Sequence, residues 1–113
     1  MCLFCDIVAG KIPSSKVYEN EYVLCFNDIN PVTPVHVLVV PKKHFNDINE
    51  LASDPEGAVY SAEITKAISE VAKIKGISEG FRTVNNCGED GGQSVMHVHF
   101  HVLGGIKFTE KIV

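Results

Sequence analysis

One stretch near the end of the chain restricts the fold most, because three histidines alternate there with apolar residues. From His97 to Val102 it runs His-Val-His-Phe-His-Val. Successive side chains of a β-strand point to opposite faces, so the imidazoles share one face and Val98, Phe100 and Val102 share the other. The apolar face predicts a strand packed on a core. The histidine face predicts a functional site.

Three interpretations of the histidine face remain open at this point. The imidazoles are half-buried polar groups on a solvated face, they bind a metal ion, or they take part in catalysis at a reactive centre. His97 and His101 lie about 13 Å apart on a regular strand, so one ion cannot easily reach all three. A neutral imidazole is a good nucleophile at phosphorus, and a second imidazole nearby can bind phosphate or carry a proton.

The rest of the chain predicts an α+β fold with an antiparallel sheet and one long helix. The predicted strands are Val17–Tyr18, Tyr22–Asp28, Val35–Pro41, Phe81–Asn85 and Val95–Leu103. Asp54-Pro55 is expected to start the helix, an apolar stripe runs from Tyr60 to Ile74, and Gly76 ends it. We expect a helical turn over 46–51, loops over 10–15 and 86–92, and a tail over 105–113. A sheet covered by one helix leaves a face or an edge open, which favours a homodimer.

Composition limits the class of protein. The chain has 113 residues, 45% of them hydrophobic and 21% charged, which predicts one globular domain over 1–113. The net charge of −4 argues against a nucleic-acid partner. No apolar run reaches the roughly 18 residues of a membrane span. The N-terminus lacks the pattern of a signal peptide, so we expect a cytoplasmic protein with reduced thiols.

The glycine-rich loop before the histidines adds to the predicted site. Gly91-Gly92-Gln93-Ser94 offers backbone N–H groups and a hydroxyl, which suit phosphoryl oxygens or a leaving group.

The histidine pattern, with its surroundings, resembles the histidine triad (HIT) superfamily, in which three histidines alternate with apolar residues. The stretch His97-Val98-His99-Phe100-His101-Val102-Leu103 is complete in this respect. The similarity to the branch of histidine triad nucleotide-binding proteins extends from about residue 3 to residue 105. Its other segments are Phe4–Pro13, Asp28–Pro31, His36–His44, Gly92–Val95 and Leu103–Gly105.

The resemblance implies a five-stranded sheet in each protomer of a homodimer, the two sheets being joined edge to edge. It implies hydrolysis of purine nucleoside 5′-phosphoramidates and acyl-nucleotides to AMP or GMP. His99 would be the nucleophile, with His101, His36 and Ser94 as the other catalytic residues. The residues implied to bind the nucleotide are Leu3, Phe4, Ile7, Phe26, Asn27, Asp28, Asn86, Gln93, Ser94, Val95, His99 and His101. Among them, Asp28 would hold the ribose hydroxyls.

Several of these residues also have plain structural interpretations. Asp28 precedes Asn30-Pro31 and is a good turn-initiating residue. Phe4, Ile7 and Phe26 are by default core residues, as is His36 in its apolar surroundings.

The pair Cys2-x-x-Cys5 predicts either a redox motif, half of a zinc site, or two reduced surface thiols. Cys25 and Cys87 are candidate partners, although Cys25 lies in an apolar strand. Some bacterial relatives carry a structural zinc at positions that correspond here to Cys2, Cys5, His44 and His97. The resemblance therefore implies a closed Cys₂His₂ zinc site.

Two functions of other classes remain alternatives to the hydrolase. One is a purine-nucleotide-binding module with little turnover that acts through partners. The other is a metalloenzyme that uses His97, His99 and an open coordination position.

Overall fold

The computed structural model describes residues 2–113, and that range contains three helices and five strands. They are α1 (Leu3–Val8), β1 (Lys16–Glu19), β2 (Val23–Asn27), β3 (Val35–Pro41), α2 (Ile48–Ser53), α3 (Gly57–Ile74), β4 (Arg82–Val84) and β5 (Phe100–Gly104). The strands form one antiparallel sheet in the order β1-β2-β3-β5-β4. This confirms the predicted α+β fold with a five-stranded sheet and one long helix.

The main core lies between the sheet and α3. Ile64, Ala67 and Val71 of the helix pack against Val37, Val102 and other inward-facing strand residues. Val98 lies in the same cluster and Phe100 packs against it, so the apolar side of the histidine segment is core as predicted. The histidines consequently face the opposite side of the sheet.

That opposite side is partly covered by α1, a helix that was not predicted. Phe4 and Ile7 pack there on Leu24, Phe26, Leu38 and Val40 of the central strands. The Cys2 side chain accepts a hydrogen bond from the Cys5 N–H and so caps the helix. The expectation of only one covering helix was therefore wrong. The cover on this face comes from the same chain.

Two predicted element boundaries were also wrong. The long helix begins at Gly57 with Glu56 as its N-cap, whereas the predicted N-cap, Asp54, is the C-cap of α2. The last strand begins at Phe100, five residues later than expected. Its pairing with β3 stops at Val39, two residues before Pro41, which has no N–H to donate.

The tail after β5 returns to the edge strand β4. The Arg82 guanidinium donates hydrogen bonds to the carbonyls of Thr109 and Lys111 and lies 4.5 Å from the centre of the Phe108 ring. Over the described range, none of the helices is both long and apolar enough to cross a membrane.

Candidate active site and metal centre

A cavity of about 540 Å³ opens on the face of the sheet that carries the histidines and α1. Its volume falls in the usual range for sites that bind small molecules. Of the residues predicted to bind nucleotide, ten line it: Leu3, Phe4, Ile7, Phe26, Asn27, Asp28, Ser94, Val95, His99 and His101. The predicted catalytic residue His36 lines it as well. Phe4 and Ile7 come from α1, Asp28 follows β2, His36 belongs to β3, His99 directly precedes β5, and His101 belongs to β5.

The other two predicted nucleotide-binding residues, Asn86 and Gln93, do not line this cavity. The Asn86 side chain donates a hydrogen bond to the Gly91 carbonyl at 2.8 Å. The Gln93 side chain is buried, accepts from the Gly88 N–H and donates to the carbonyls of Asn46 and Val95. Both side chains hold the glycine-rich loop in shape. Their contact with phosphate remains a prediction.

His99 is held in the tautomer that a nucleophile needs. Its Nδ1 lies 2.8 Å from the carbonyl oxygen of His97, and because a carbonyl only accepts, Nδ1 carries the proton. The Nε2 atom therefore keeps its lone pair. The Phe4 ring packs edge-on against this imidazole at 5.0 Å between ring centres, and Asn85 Nδ2 donates to the His99 carbonyl at 2.9 Å. The ring is therefore fixed from several sides.

His101 is held in the opposite tautomer through His36. The Val32 N–H donates to His36 Nδ1 at 3.1 Å, so the proton of neutral His36 is on Nε2. This Nε2–H donates to His101 Nδ1 at 2.8 Å. The proton of neutral His101 is consequently on its Nε2. The two adjacent imidazoles, with ring centres 5.2 Å apart, thus pair a bare Nε2 on His99 with a protonated Nε2 on His101.

Burial favours the neutral forms of His101 and His36. Desolvation, followed by the proximity of His99 and His36, lowers the pKa of His101 to about 4. Desolvation also lowers the pKa of His36, against an opposing effect of the Asp28 carboxylate. The Asp28 Oδ2 atom lies 3.3 Å from His36 Nε2.

A second cluster brings together the four residues predicted to bind zinc. The ligand atoms of Cys2, Cys5, His44 and His97 all lie within 4.8 Å of one another. Tetrahedral bonds to zinc would place two nitrogens about 3.3 Å apart, and a nitrogen and a sulfur about 3.6 Å apart. His44 Nδ1 and His97 Nδ1 are 3.2 Å apart, and the three close sulfur–nitrogen distances are 3.3, 3.3 and 3.5 Å. The donor set therefore fits a tetrahedral metal ion.

The outer hydrogen bonds of the two histidines leave the correct nitrogens for a metal. His97 Nε2 donates to the Pro41 carbonyl at 2.8 Å, so its Nδ1 is bare. His44 Nε2 contacts Asn46 Oδ1 at 2.7 Å, and the Asn46 amide donates in turn to Glu50. Such outer partners orient metal ligands. Burial lowers the pKa of His97 to about 4, which keeps it in the neutral form that binds metals.

The remaining cysteines lie elsewhere. Cys25 is fully buried in the main core, and burial raises the pKa of its thiol to about 12. Cys87 contacts Asn49 at the surface. Within residues 2–113, potential ligands form only this cluster and a second one of Asp28, His36 and His101, and His99 belongs to neither. This arrangement argues against a metalloenzyme that uses His97 and His99 together.

Sequence reasoning missed three groups that shape the site. Asn46 orients His44, the Val32 N–H sets the tautomer of His36, and Asn85 holds the His99 backbone. Asn46 lies two residues after His44, which was a usable signal. The other two contacts depend on loop geometry, which no residue pattern reveals.

The fold and site together define a small α+β protein with paired imidazoles of opposite tautomer above one antiparallel sheet. Residues 9–108 match the model of the HIT domain, and the chain belongs to the HIT family. It is 42% identical to protein HitA of Neisseria gonorrhoeae over 91% of this chain and 94% of that protein. A HIT family hydrolase from Clostridium thermocellum superimposes with a TM-score of 0.93 at 42% identity, covering 99% of this chain and 96% of the other. A histidine triad nucleotide-binding protein from Candida albicans gives 0.82 at 28% identity over 100% and 86%.

Proposed function

We propose that this protein hydrolyses purine nucleoside 5′-phosphoramidates and acyl-nucleotides to the nucleoside monophosphate through a nucleotidyl-His99 intermediate. The observation that carries the proposal is the pair of opposite tautomers in the cavity, a bare Nε2 on His99 beside a protonated Nε2 on His101. One nitrogen can attack phosphorus while the other serves the leaving group. The names of the relatives, a hydrolase and a nucleotide-binding protein, support the same chemistry.

In the first step, His99 Nε2 attacks phosphorus, a phosphorus–nitrogen bond to His99 forms, and the bond to the leaving amine breaks. The bound phosphate is anionic and favours uptake of a second proton from solvent at His101 Nδ1. The Nε2 proton of His101 then passes to the departing amine, which leaves His101 neutral with its proton on Nδ1. The positive charge on His99 is stabilised by the His97 carbonyl that accepts from Nδ1. In the second step, water attacks phosphorus and gives a proton to His101 Nε2. The bond to His99 then breaks, and the monophosphate leaves.

The proposal gives roles to the remaining lining residues. The apolar wall of Phe4, Ile7 and Phe26 would take the purine base, and Asp28 would take the ribose hydroxyls. Ser94 lines the cavity and is exposed, and its hydroxyl would contact the leaving group.

We also propose that Cys2, Cys5, His44 and His97 hold a structural zinc ion. Zinc bound by four protein ligands supplies no open position and acts by holding the N-terminal segment to the histidine segment. Without a metal, burial and the adjacent Cys2 thiol raise the pKa of Cys5 to about 11, so metal binding must displace its proton. Such reduced thiols suit the cytoplasm, where we place the protein.

The edge strand β4 supports the proposal of a homodimer. It ends the sheet on one side, beside a groove of about 420 Å³ lined by Ile48, Ile68 and Phe100 among others. Pairing of two β4 strands would continue the sheet across two copies and cover the groove. Light scattering should give twice the chain mass for the wild type and the chain mass for Ile68→Lys. A wild-type protein with the mass of a single chain would contradict the dimer.

The central test measures AMP and GMP release from the corresponding phosphoramidates. We expect turnover by the wild type, turnover by the surface control Val59→Ala, and none by His99→Ala. Calorimetry should show that His99→Ala still binds AMP. A folded wild-type protein that binds AMP but releases none would refute the hydrolase and favour the binding module.

A further inference from the structure

The Asp28 carboxylate lines the cavity and also lies close to the His36 imidazole. Its Oδ1 accepts from the Asn30 N–H at 2.8 Å, and its Oδ2 lies 3.3 Å from His36 Nε2. The Asp28 side chain is 18% exposed, whereas that of His36 is 4% exposed. One oxygen is therefore engaged in the turn, and the other lies between the cavity and a buried imidazole.

The Nε2–H of His36 consequently has two acceptors within reach. The nearer is His101 Nδ1 at 2.8 Å, and the second is Asp28 Oδ2 at 3.3 Å. When His101 gains a second proton, its Nδ1 has no lone pair left to accept a hydrogen bond. The Nε2–H of His36 then loses its nearer acceptor. The carboxylate then remains as the only acceptor, and its negative charge offsets the new positive charge on His101.

We propose that Asp28 is the positioning residue of the proton donor, so that one carboxylate serves both the sugar and the protonated form of His101. The inference rests on the proposed function, because it concerns the proton that His101 Nε2 gives to the leaving amine. In addition to binding the ribose, Asp28 would thus affect the rate at which the bond to the leaving amine breaks. A nucleotide without sugar hydroxyls would leave this second role intact.

Among the described residues 2–113, the groups near His101 offer no second carboxylate for this role. The titratable groups that face it are His36 from β3, His99 from the segment before β5, and Asp28 from the end of β2. On the remaining side, β4 places Val84 opposite His101 in the sheet. Both histidines oppose a proton on His101, and within residues 2–113 Asp28 is the one group found to favour it.

Asp28→Asn is the sharpest substitution for a test. The carboxylate serves Asn30 and His36 with two different oxygens, whereas an amide has one oxygen and no charge. The matched control is Asn27→Ala, because Asn27 lines the same cavity but its amide donates to Ser15 Oγ. Two substrate features are varied separately. One is the sugar, ribose or 2′,3′-dideoxyribose, and the other is the leaving group, an alkylamine or a carboxylate, which needs no proton.

The experiment measures kcat and KM for the four substrates with the wild type and both variants, and kcat/KM for the amine substrates from pH 5 to 9. Because hydrolysis of the nucleotidyl-His99 intermediate is common to all four substrates, the decisive quantity is kcat/KM, which reports the steps up to departure of the leaving group. For Asp28→Asn we expect kcat/KM to fall at least about tenfold more on each amine substrate than on the carboxylate substrate with the same sugar. The alkaline limb of its pH profile should move to lower pH. Asn27→Ala should change KM and leave the ratio of amine to carboxylate kcat/KM at the wild-type value.

The outcomes separate the inference from the function on which it rests. If Asp28→Asn raises only KM, and only for ribose substrates, Asp28 is a sugar ligand alone and the inference is wrong. An equal fall in kcat/KM for amine and carboxylate leaving groups would also overturn it. If the wild type hydrolyses none of the four substrates, the proposed function itself fails.

Discussion

The low pKa of His101 predicts a measurable loss of stability on acidification. Burial is the main reason why the folded protein holds this imidazole neutral, with a pKa of about 4 in place of the ordinary 6.5. The unfolded chain binds the proton at higher pH than the folded chain does. The contribution of His101 to stability is therefore complete above pH 6.5 and is lost as the pH falls towards 4.

The size of the effect follows from this difference in pKa. With pKa values of 6.5 and about 4, proton binding favours the unfolded chain by about 2 kcal/mol at pH 5 relative to pH 7.5. His101 is only partly buried, so solvent screening reduces the expected loss to about 1 kcal/mol. The variant His101→Asn lacks the titrating group, while its amide oxygen can still accept from His36 Nε2–H.

The assay is urea denaturation of the wild type and His101→Asn at pH 7.5, 6.5, 5.5 and 5. A chelator in all samples removes the contribution of proton-linked metal release, which is common to both proteins. We expect the wild type to lose about 1 kcal/mol more than His101→Asn between pH 7.5 and 5. If the two proteins lose the same free energy, burial does not hold His101 neutral, and the argument from its surroundings is refuted.

Three further substitutions test the core, the loop and the metal centre. Val102→Ala should lower the free energy of unfolding by about 2 kcal/mol because its side chain is fully buried, whereas the half-exposed control Val59→Ala should change it little; equal effects in urea denaturation would contradict the assignment of the core. Gly91→Ala places a Cβ against the Cys87 carbonyl and must change the shape of the glycine-rich loop. We expect slower release of AMP with a near-normal melting temperature, and normal turnover would show that the loop shape is unimportant. Asn46→Ala removes the acceptor for His44 Nε2 and should weaken zinc binding about tenfold in competition with a chelating dye. Unchanged zinc affinity would show that this contact does not orient His44.

The sequence predicted those parts of the fold in which apolar side chains recur at the spacing of a strand or a helix. The alternation of residues 97–102 correctly separated a core face from a histidine face, and the apolar stripe correctly located α3. The helix α1 escaped prediction because six residues give too short a repeat to recognise. The start of β5 escaped because it depends on where Pro41 lies in the neighbouring strand.

The candidate site divides in a similar way. The alternating pattern identified the imidazoles, and the family resemblance added Asp28 and the four residues that cluster as potential metal ligands. The protonation pattern could not be predicted, because it depends on a carbonyl at His97 and a backbone N–H at Val32. Backbone groups are the same at every position of a sequence, so only the folded chain shows which of them point at a side chain.

The short helix α1 contributes to both centres at once. Isolated helices of six residues are unstable in water, so α1 depends on its contacts for its order. One side of it presents Cys5 to the histidines of the metal centre, and the other presents Phe4 and Ile7 to the cavity. If the proposed base pocket is redesigned through Phe4 or Ile7, we therefore expect the retention of the proposed zinc ion to change too. Directed evolution of this pocket should be screened for metal content as well as for turnover.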